Sequence, residues 1–201
     1  MTETEWLQMG ALAAGGLAVA GVVYAIVRWL RKVDAVFPEA AKKYGLTFTH
    51  ERRGSAFTNV AQSSRLRGVA DGTPIEVIST YETRGRLRIR STLVASRAPA
   101  GLPPCTMNIL RRPPAATEHL VPTGDAQFDS RFWVTSDVPA VVRAVLTPAV
   151  RTELLRCPQP ELRLVVADGH LVLSFPNTPV NEAELHGPMD VVLAVSRMKA
   201  P

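Results

Sequence analysis

Hydrophobic and polar positions divide the chain into regimes of different period. Leu7 to Val27 (LQMGALAAGGLAVAGVVYAIV) contains no charged side chain. At ~1.5 Å per residue a helix over this stretch spans roughly 31 Å, the thickness of a bilayer's hydrocarbon core. Trp6 and Trp29 stand at its two ends, with Tyr24 a turn further in, where amphipathic rings favour the membrane–water interfaces. The pattern predicts a transmembrane helix over 7–30 behind a short extracytoplasmic tail, 1–6. Glu3 and Glu5 precede it, and Arg28, Arg31 and Lys32 follow it. The positive-inside rule therefore predicts the N-terminus outside and the rest of the chain in the cytoplasm. A cleaved secretory signal is the rival reading, with Ala18-Val19-Ala20 as its small-residue site. That reading needs a basic n-region, and this one is acidic.

Within the span Gly10, Ala14, Ala18, Gly21 and Ala25 fall at i, i+4, i+8, i+11 and i+15, one stripe of small residues. Such a stripe lets helix backbones approach closely, so it is a candidate surface for self-association or for packing on another membrane helix. An Ala-rich span produces small pairs by composition too. Next comes an amphipathic stretch: Val33, Val36, Phe37, Ala40 and Ala41 recur at helical spacing, with Gly45 as the stop. This predicts a juxtamembrane helix over 31–45, lying along the membrane surface and kinked or restarted at Pro38.

From Leu46 the period drops to two. Strands are predicted at Leu46–Phe48, Leu66–Ala70 and Pro74–Glu82, with Asp71-Gly72 as a tight hairpin. RGRLRIRSTLVAS, beginning at Arg84, reads as a further strand that sets Leu87 and Ile89 against Arg86, Arg88 and Arg90. A proline-rich loop (Ala98–Cys105), short strands at Met107–Leu110 and Phe132–Thr135, and helices over Pro139–Leu146 and from Pro148 to about Arg156 follow. Ser136 or Asp137 is the expected cap of the first helix, and Thr147 of the second. Leu162–Ala167, Asp168-Gly169 and His170–Phe175 form the clearest hairpin. The stretch from Val180 to Met198 reads as helical in two pieces divided by Gly187-Pro188. Strands in hairpins with helices segregated from them predict an α+β domain over 46–201, an antiparallel sheet with two or three helices packed on it, able to fold alone.

Composition adds little beyond this. Sixteen prolines and thirteen glycines suit many turns, and the 6% aromatic content leaves a core of aliphatic side chains. The formal charge is +5, from 23 basic and 18 acidic residues. Cys105 and Cys157 sit in no CxxC or metal-ligand spacing, and in a cytoplasmic domain both are expected to be reduced.

Candidate chemistry is sparse. His50, His119, His170 and His186 form no HxH, HExxH or HxxxH arrangement, and no phosphate-binding loop, nucleophile elbow or calcium loop occurs. Ser196 and Lys199 match S-x-x-K only at the extreme C-terminus. Glu182 and Glu184 cannot share a helical face, and Asp125 and Asp129 read as caps bracing Arg131. No cofactor or metal is expected. The one repeated chemical feature is Arg84, Arg86, Arg88 and Arg90, which share a strand face if the strand begins at Arg84. They read either as a solvated face, partly neutralised by Glu76 and Glu82, or as a basic platform for anionic headgroups or an acidic partner. Without interleaved aromatics they do not suit nucleic acid.

Phe128-Asp129-x-x-Phe132, the segment Leu146-Thr147-Pro148-Ala149-Val150-Arg151 with Leu154, and the hairpin LRLVVADGHLVLSF together resemble a group of bacterial membrane-anchored proteins. In that group an F-D-x-x-F segment precedes an L-T-P helix and a D-G hairpin. The resemblance covers roughly 124–175, supports the fold and carries no activity with it; the anchor makes an inner-membrane location the expectation. The expected function is a membrane-anchored, non-catalytic domain that binds a protein partner or the anionic membrane surface. A structural subunit of a membrane complex is the second expectation. The third is an enzyme whose site gathers scattered His50, His119 or His186 with acids.

Overall fold

The computed structural model describes residue 24 and residues 35–53, 61–84, 87–113 and 120–198. Apart from Tyr24, which is helical and exposed, the predicted span over 7–30 and its small-residue stripe lie outside the described residues. Among the described residues no helix is long and apolar enough to cross a membrane.

Residues 35–44 form helix α1. Its apolar stripe of Val36, Phe37, Ala40 and Ala41 is buried in the main core, and Phe37 packs on Phe48 with ring centroids 6.2 Å apart. The described part of the predicted juxtamembrane helix is therefore built into the domain and does not present its apolar face to a membrane surface. The compact unit accordingly starts at Val36, ten residues ahead of the expected boundary.

Eight strands follow: β1 (Thr47–Arg53), β2 (Ala61–Ala70), β3 (Thr73–Arg84), β4 (Leu87–Arg97), β5 (Cys105–Leu110), β6 (Trp133–Ser136), β7 (Glu161–Ala167) and β8 (His170–Pro176). The helices after α1 are α2 (Ala126–Asp129), α3 (Pro139–Val145), α4 (Pro148–Arg156) and α5 (Glu182–Ser196). The strands make one antiparallel sheet in the order β1-β2-β3-β4-β8-β7-β5-β6, and the fold is α+β. The β7–β8 hairpin, late in the chain, inserts beside β4 and pushes β5 and β6 outward. Both tight turns have the geometry their Asp-Gly pairs call for: φ is 47° and 78° at Asp71 and Gly72, and 51° and 73° at Asp168 and Gly169. That doubly left-handed turn matches the twist of the strands it joins.

One face of the sheet carries the core from β2 across to β6, while at the β1 edge Phe48 is half-buried and His50 exposed. Leu66, Ile75, Val77, Val94, Met107, Ile109, Leu164 and Leu173 alternate inward, and α5 lies across β3, β4 and β8 on that side. Burying each such side chain contributes about 1.5–3 kcal/mol.

α5 runs unbroken through Gly187-Pro188, contrary to the two pieces expected. Proline cannot supply the N–H that would bond the Glu184 carbonyl one turn earlier. The buried Gln159 amide donates to that carbonyl instead, at 3.1 Å. Gly187 is needed for clearance: a Cβ there would sit 3.0 Å from the Cys157 Cα at the end of α4. Asn181 caps α5, accepting from the Glu184 N–H at 3.0 Å, while the Glu184 carboxylate returns to the Val180 N–H, also at 3.0 Å.

Three smaller expectations are corrected. Asp125 braces Arg151, not Arg131, at 3.0 Å, while also capping α2. Ser136 and Asp137 do not cap α3; both bond the Thr106 backbone of β5. The arginine-rich segment is not one strand, because Arg84 ends β3 and Arg88 and Arg90 lie in β4.

Candidate functional site: the open face of the sheet

Alternation along each strand determines what the uncovered face carries. On β2 the residues that alternate with inward Leu66 and Ala70 are Arg65, Arg67 and Val69. On β3 they are Pro74, Glu76 and Ile78, on β4 Leu93, Ala95 and Arg97, and on β8 His170, Val172 and Ser174. The register sets Arg67 opposite Glu76 and Glu76 opposite Ala95. Arg65 faces Ile78, which faces Leu93, while Val69 faces Pro74 and Arg97 faces His170. At the end of the sheet near the Asp71-Gly72 and Asp168-Gly169 turns these rows enclose a shallow groove of about 350 Å³. Its lining includes Arg67, Pro74, Glu76, Ala95, Arg97 and His170.

Two properties set this face apart. Glu76 is drawn diagonally to Arg65, with Nε–Oε1 at 3.3 Å, although Arg67 stands directly opposite it. Among the described residues, Arg67, Arg97 and His170 then make no side-chain hydrogen bond or ion pair. In addition, Val69 is 59% and Leu93 38% exposed; besides Tyr24 they are the large exposed hydrophobic side chains of the described residues. Both flank the groove.

The sequence-derived arginines fall elsewhere. Arg86 lies outside the described residues. Arg84 pairs with Leu87 at the end of the β3–β4 hairpin, Arg88 with Thr83 and Arg90 with Tyr81. The described arginines thus divide between two strands, Arg84 in β3 and Arg88 and Arg90 in β4, and the stripe on a single strand does not form. Glu76 pairs with Arg65, and Glu82 lies opposite Ile89. Of the open-face bases, Arg65 and Arg67 come from β2 and Arg97 from β4. Their only signal in the chain is the polar half of S-R-L-R-G-V and the end of L-V-A-S-R, which no motif distinguishes from ordinary strand polarity.

A second polar cluster lies on the covered side, where α1 meets α5. Tyr44 donates its hydroxyl to Asp190 at 2.9 Å and meets His186 edge to face, with ring centroids 5.3 Å apart. Lys43 Nζ lies 3.1 Å from His186 Nδ1. An ammonium only donates, so Nδ1 accepts and the ring proton sits on Nε2, which is buried and unpartnered. Burial, and then the Lys43 charge, hold the His186 pKa below the ordinary histidine value against the opposing pull of Glu182 and Asp190. Burial and Asp190 push the Tyr44 phenol well above its ordinary value. The cluster packs as a seam between two helices.

The other histidines are dispersed. His50 bonds Ser64 on exposed β1, His170 lines the groove, and His119 lies outside the described residues. Among the described residues no three of His, Cys, Asp and Glu come together in a metal-ligand group. Cys105 and Cys157 are free and buried; burial raises both thiols, that of Cys157 to about 11, so neither is a ready nucleophile.

The fold and this face define an α+β domain with a one-sided sheet. No family model matches the chain, and no curated protein does. A solved structure of related outline is the crystal structure of the mycobacterial trehalose monomycolate transport factor A, TtfA. It aligns over 85% of this chain and 98% of that chain, at 13% identity and a TM-score of 0.48. A likeness of that degree transfers neither a function nor a site.

Proposed function

We propose that this chain is a membrane-tethered, non-catalytic binding module. Residues 7–30 hold it in the inner membrane with the domain in the cytoplasm, and the open face of the sheet contacts a protein partner or the anionic membrane surface. The observation that supports this most directly is the one-sidedness of the sheet. Its uncovered face carries Val69 and Leu93 beside the uncommitted bases Arg67 and Arg97. Exposed aliphatic side chains rimmed by charge mark interaction surfaces. The uncharged span from Leu7 to Val27 supports the tether, and its small-residue stripe supplies the helix–helix contact of the same reading.

The test places a photo-crosslinking amino acid at Leu93 in the full chain, in native membranes, with exposed Thr152 on the outer face of α4 as control. Adducts to lipid or to another protein several-fold more abundant from Leu93 than from Thr152 are expected. Equal yields from both positions would remove the open face from the proposal, and loss of the chain from the membrane fraction would remove the tether.

A further inference from the structure

We propose that the groove on the open face seats the phosphate headgroup of an anionic lipid, so that this face lies down on the leaflet to which the chain is tethered. The inference rests on the tethered reading above and names the occupant of its surface. Adjacent strands are ~4.8 Å apart, which puts β2 and β4 roughly 10 Å apart with β3 between them. Arg67 and Arg97 stand on either side of that strip, over a floor that includes Pro74 and Ala95. Two long guanidinium side chains so placed can converge on one phosphate, and arginine's planar fork matches phosphate oxygens. His170, opposite Arg97, adds a third nitrogen-bearing side chain.

The nearby acids leave a positive balance. Arg65 holds Glu76 at 3.3 Å and Arg197 holds Asp71 at 2.8 Å. Asp168, in the turn before His170, reduces the surplus without cancelling two arginines. Val69 and Leu93 beside the groove suit the boundary between headgroups and acyl chains, where aliphatic side chains gain burial as the bases meet phosphate. The shallow form of the groove favours a leaflet over an acidic protein, because it lacks the deep pocket that anchors a protein hot spot. Tethering also makes the leaflet the most concentrated anionic surface within reach, so weak contacts suffice.

The experiment uses the full chain in nanodiscs. Leu93→Cys is labelled with an environment-sensitive fluorophore, selectively because Cys105 and Cys157 are buried. In discs enriched in phosphatidylglycerol the label should be shielded from an aqueous quencher; in pure phosphatidylcholine it should be open. Each arginine near an anionic leaflet is worth roughly a fivefold change in attachment, so Arg67→Ser with Arg97→Ser should lower the docked-to-free ratio roughly twenty-five-fold. Both arginines are exposed, so the double variant keeps the fold. High salt should mimic it. Retention in the disc with equal quenching in both lipids would overturn the docking and leave the tether standing. Shielding insensitive to the double substitution would overturn the assignment to this groove. Shielding in phosphatidylcholine discs on adding poly-glutamate, with none from phosphatidylglycerol, would assign the face to an acidic protein instead. Failure of the chain to stay in any disc would overturn the tether and the docking with it.

Discussion

At Gln159 one side chain decides whether a neighbouring helix can contain a proline. Its amide replaces the N–H that Pro188 lacks, and it is buried, so nothing from solvent takes over when it is removed. Gln159→Leu should leave the Glu184 carbonyl unsatisfied and cost about 1–3 kcal/mol, read as a lower midpoint in thermal or urea unfolding. An unchanged midpoint would show that the carbonyl finds another donor. Gly187→Ala presses a methyl to 3.0 Å from the Cys157 backbone and should also destabilise, because backbone at the end of α4 cannot swing aside as a side-chain tip would. From the chain alone Gly187-Pro188 is a helix break, since the residue that rescues it lies 25 positions upstream of Glu184. Asp125 shows the same limit: its role as a cap was legible from local spacing, while its ion partner Arg151 lies 26 residues away.

Elements were legible where the pattern is local and strong. The Asp-Gly turns and the Thr147-Pro148 helix start behave as their chemistry dictates, Thr147 accepting from the Val150 N–H. The arginine-rich stretch failed for a reason specific to period-two patterns. β3 ends at Arg84 and β4 begins at Leu87 in antiparallel register with it, so the new strand has its own phase and the alternation is not continuous. At the α1–α5 seam the chemistry makes a pH prediction. His186 is held neutral in the folded domain with its pKa below the unfolded value of 6.5, so the unfolded chain takes up its proton first as pH falls. The stability this residue supplies is complete above pH ~6.5 and is lost progressively below it. Denaturant midpoints of the native protein should therefore fall as the pH is lowered below ~6.5, and His186→Gln should flatten that fall. A variant as pH-sensitive as the native chain would locate the proton uptake elsewhere.

For the whole molecule, the placement of α1 determines where the domain begins. Val36, Phe37, Ala40 and Ala41 fill the same core as the sheet, so a fragment starting at Leu46 exposes that core and should aggregate or melt far lower than one starting at residue 35. Phe37→Ala in the full chain should cost about 3–5 kcal/mol, measured by denaturant unfolding; a loss under about 1 kcal/mol would show that α1 is only loosely docked. Hydropathy alone had assigned this helix to the membrane surface, because an apolar stripe reads the same whether it faces lipid or a sheet. What the sequence by itself determined are properties carried by neighbouring residues: an uncharged stretch long enough to span a bilayer, the α+β class, the tight turns and the alternation along each strand. Only the tertiary structure decided the strand order, which inserts β7–β8 beside β4, the docking of α1 on the core, and the meeting of Arg67 with Arg97 over one groove. Those depend on contacts between residues far apart in the chain, where closure entropy and packing rather than local propensity select the partner.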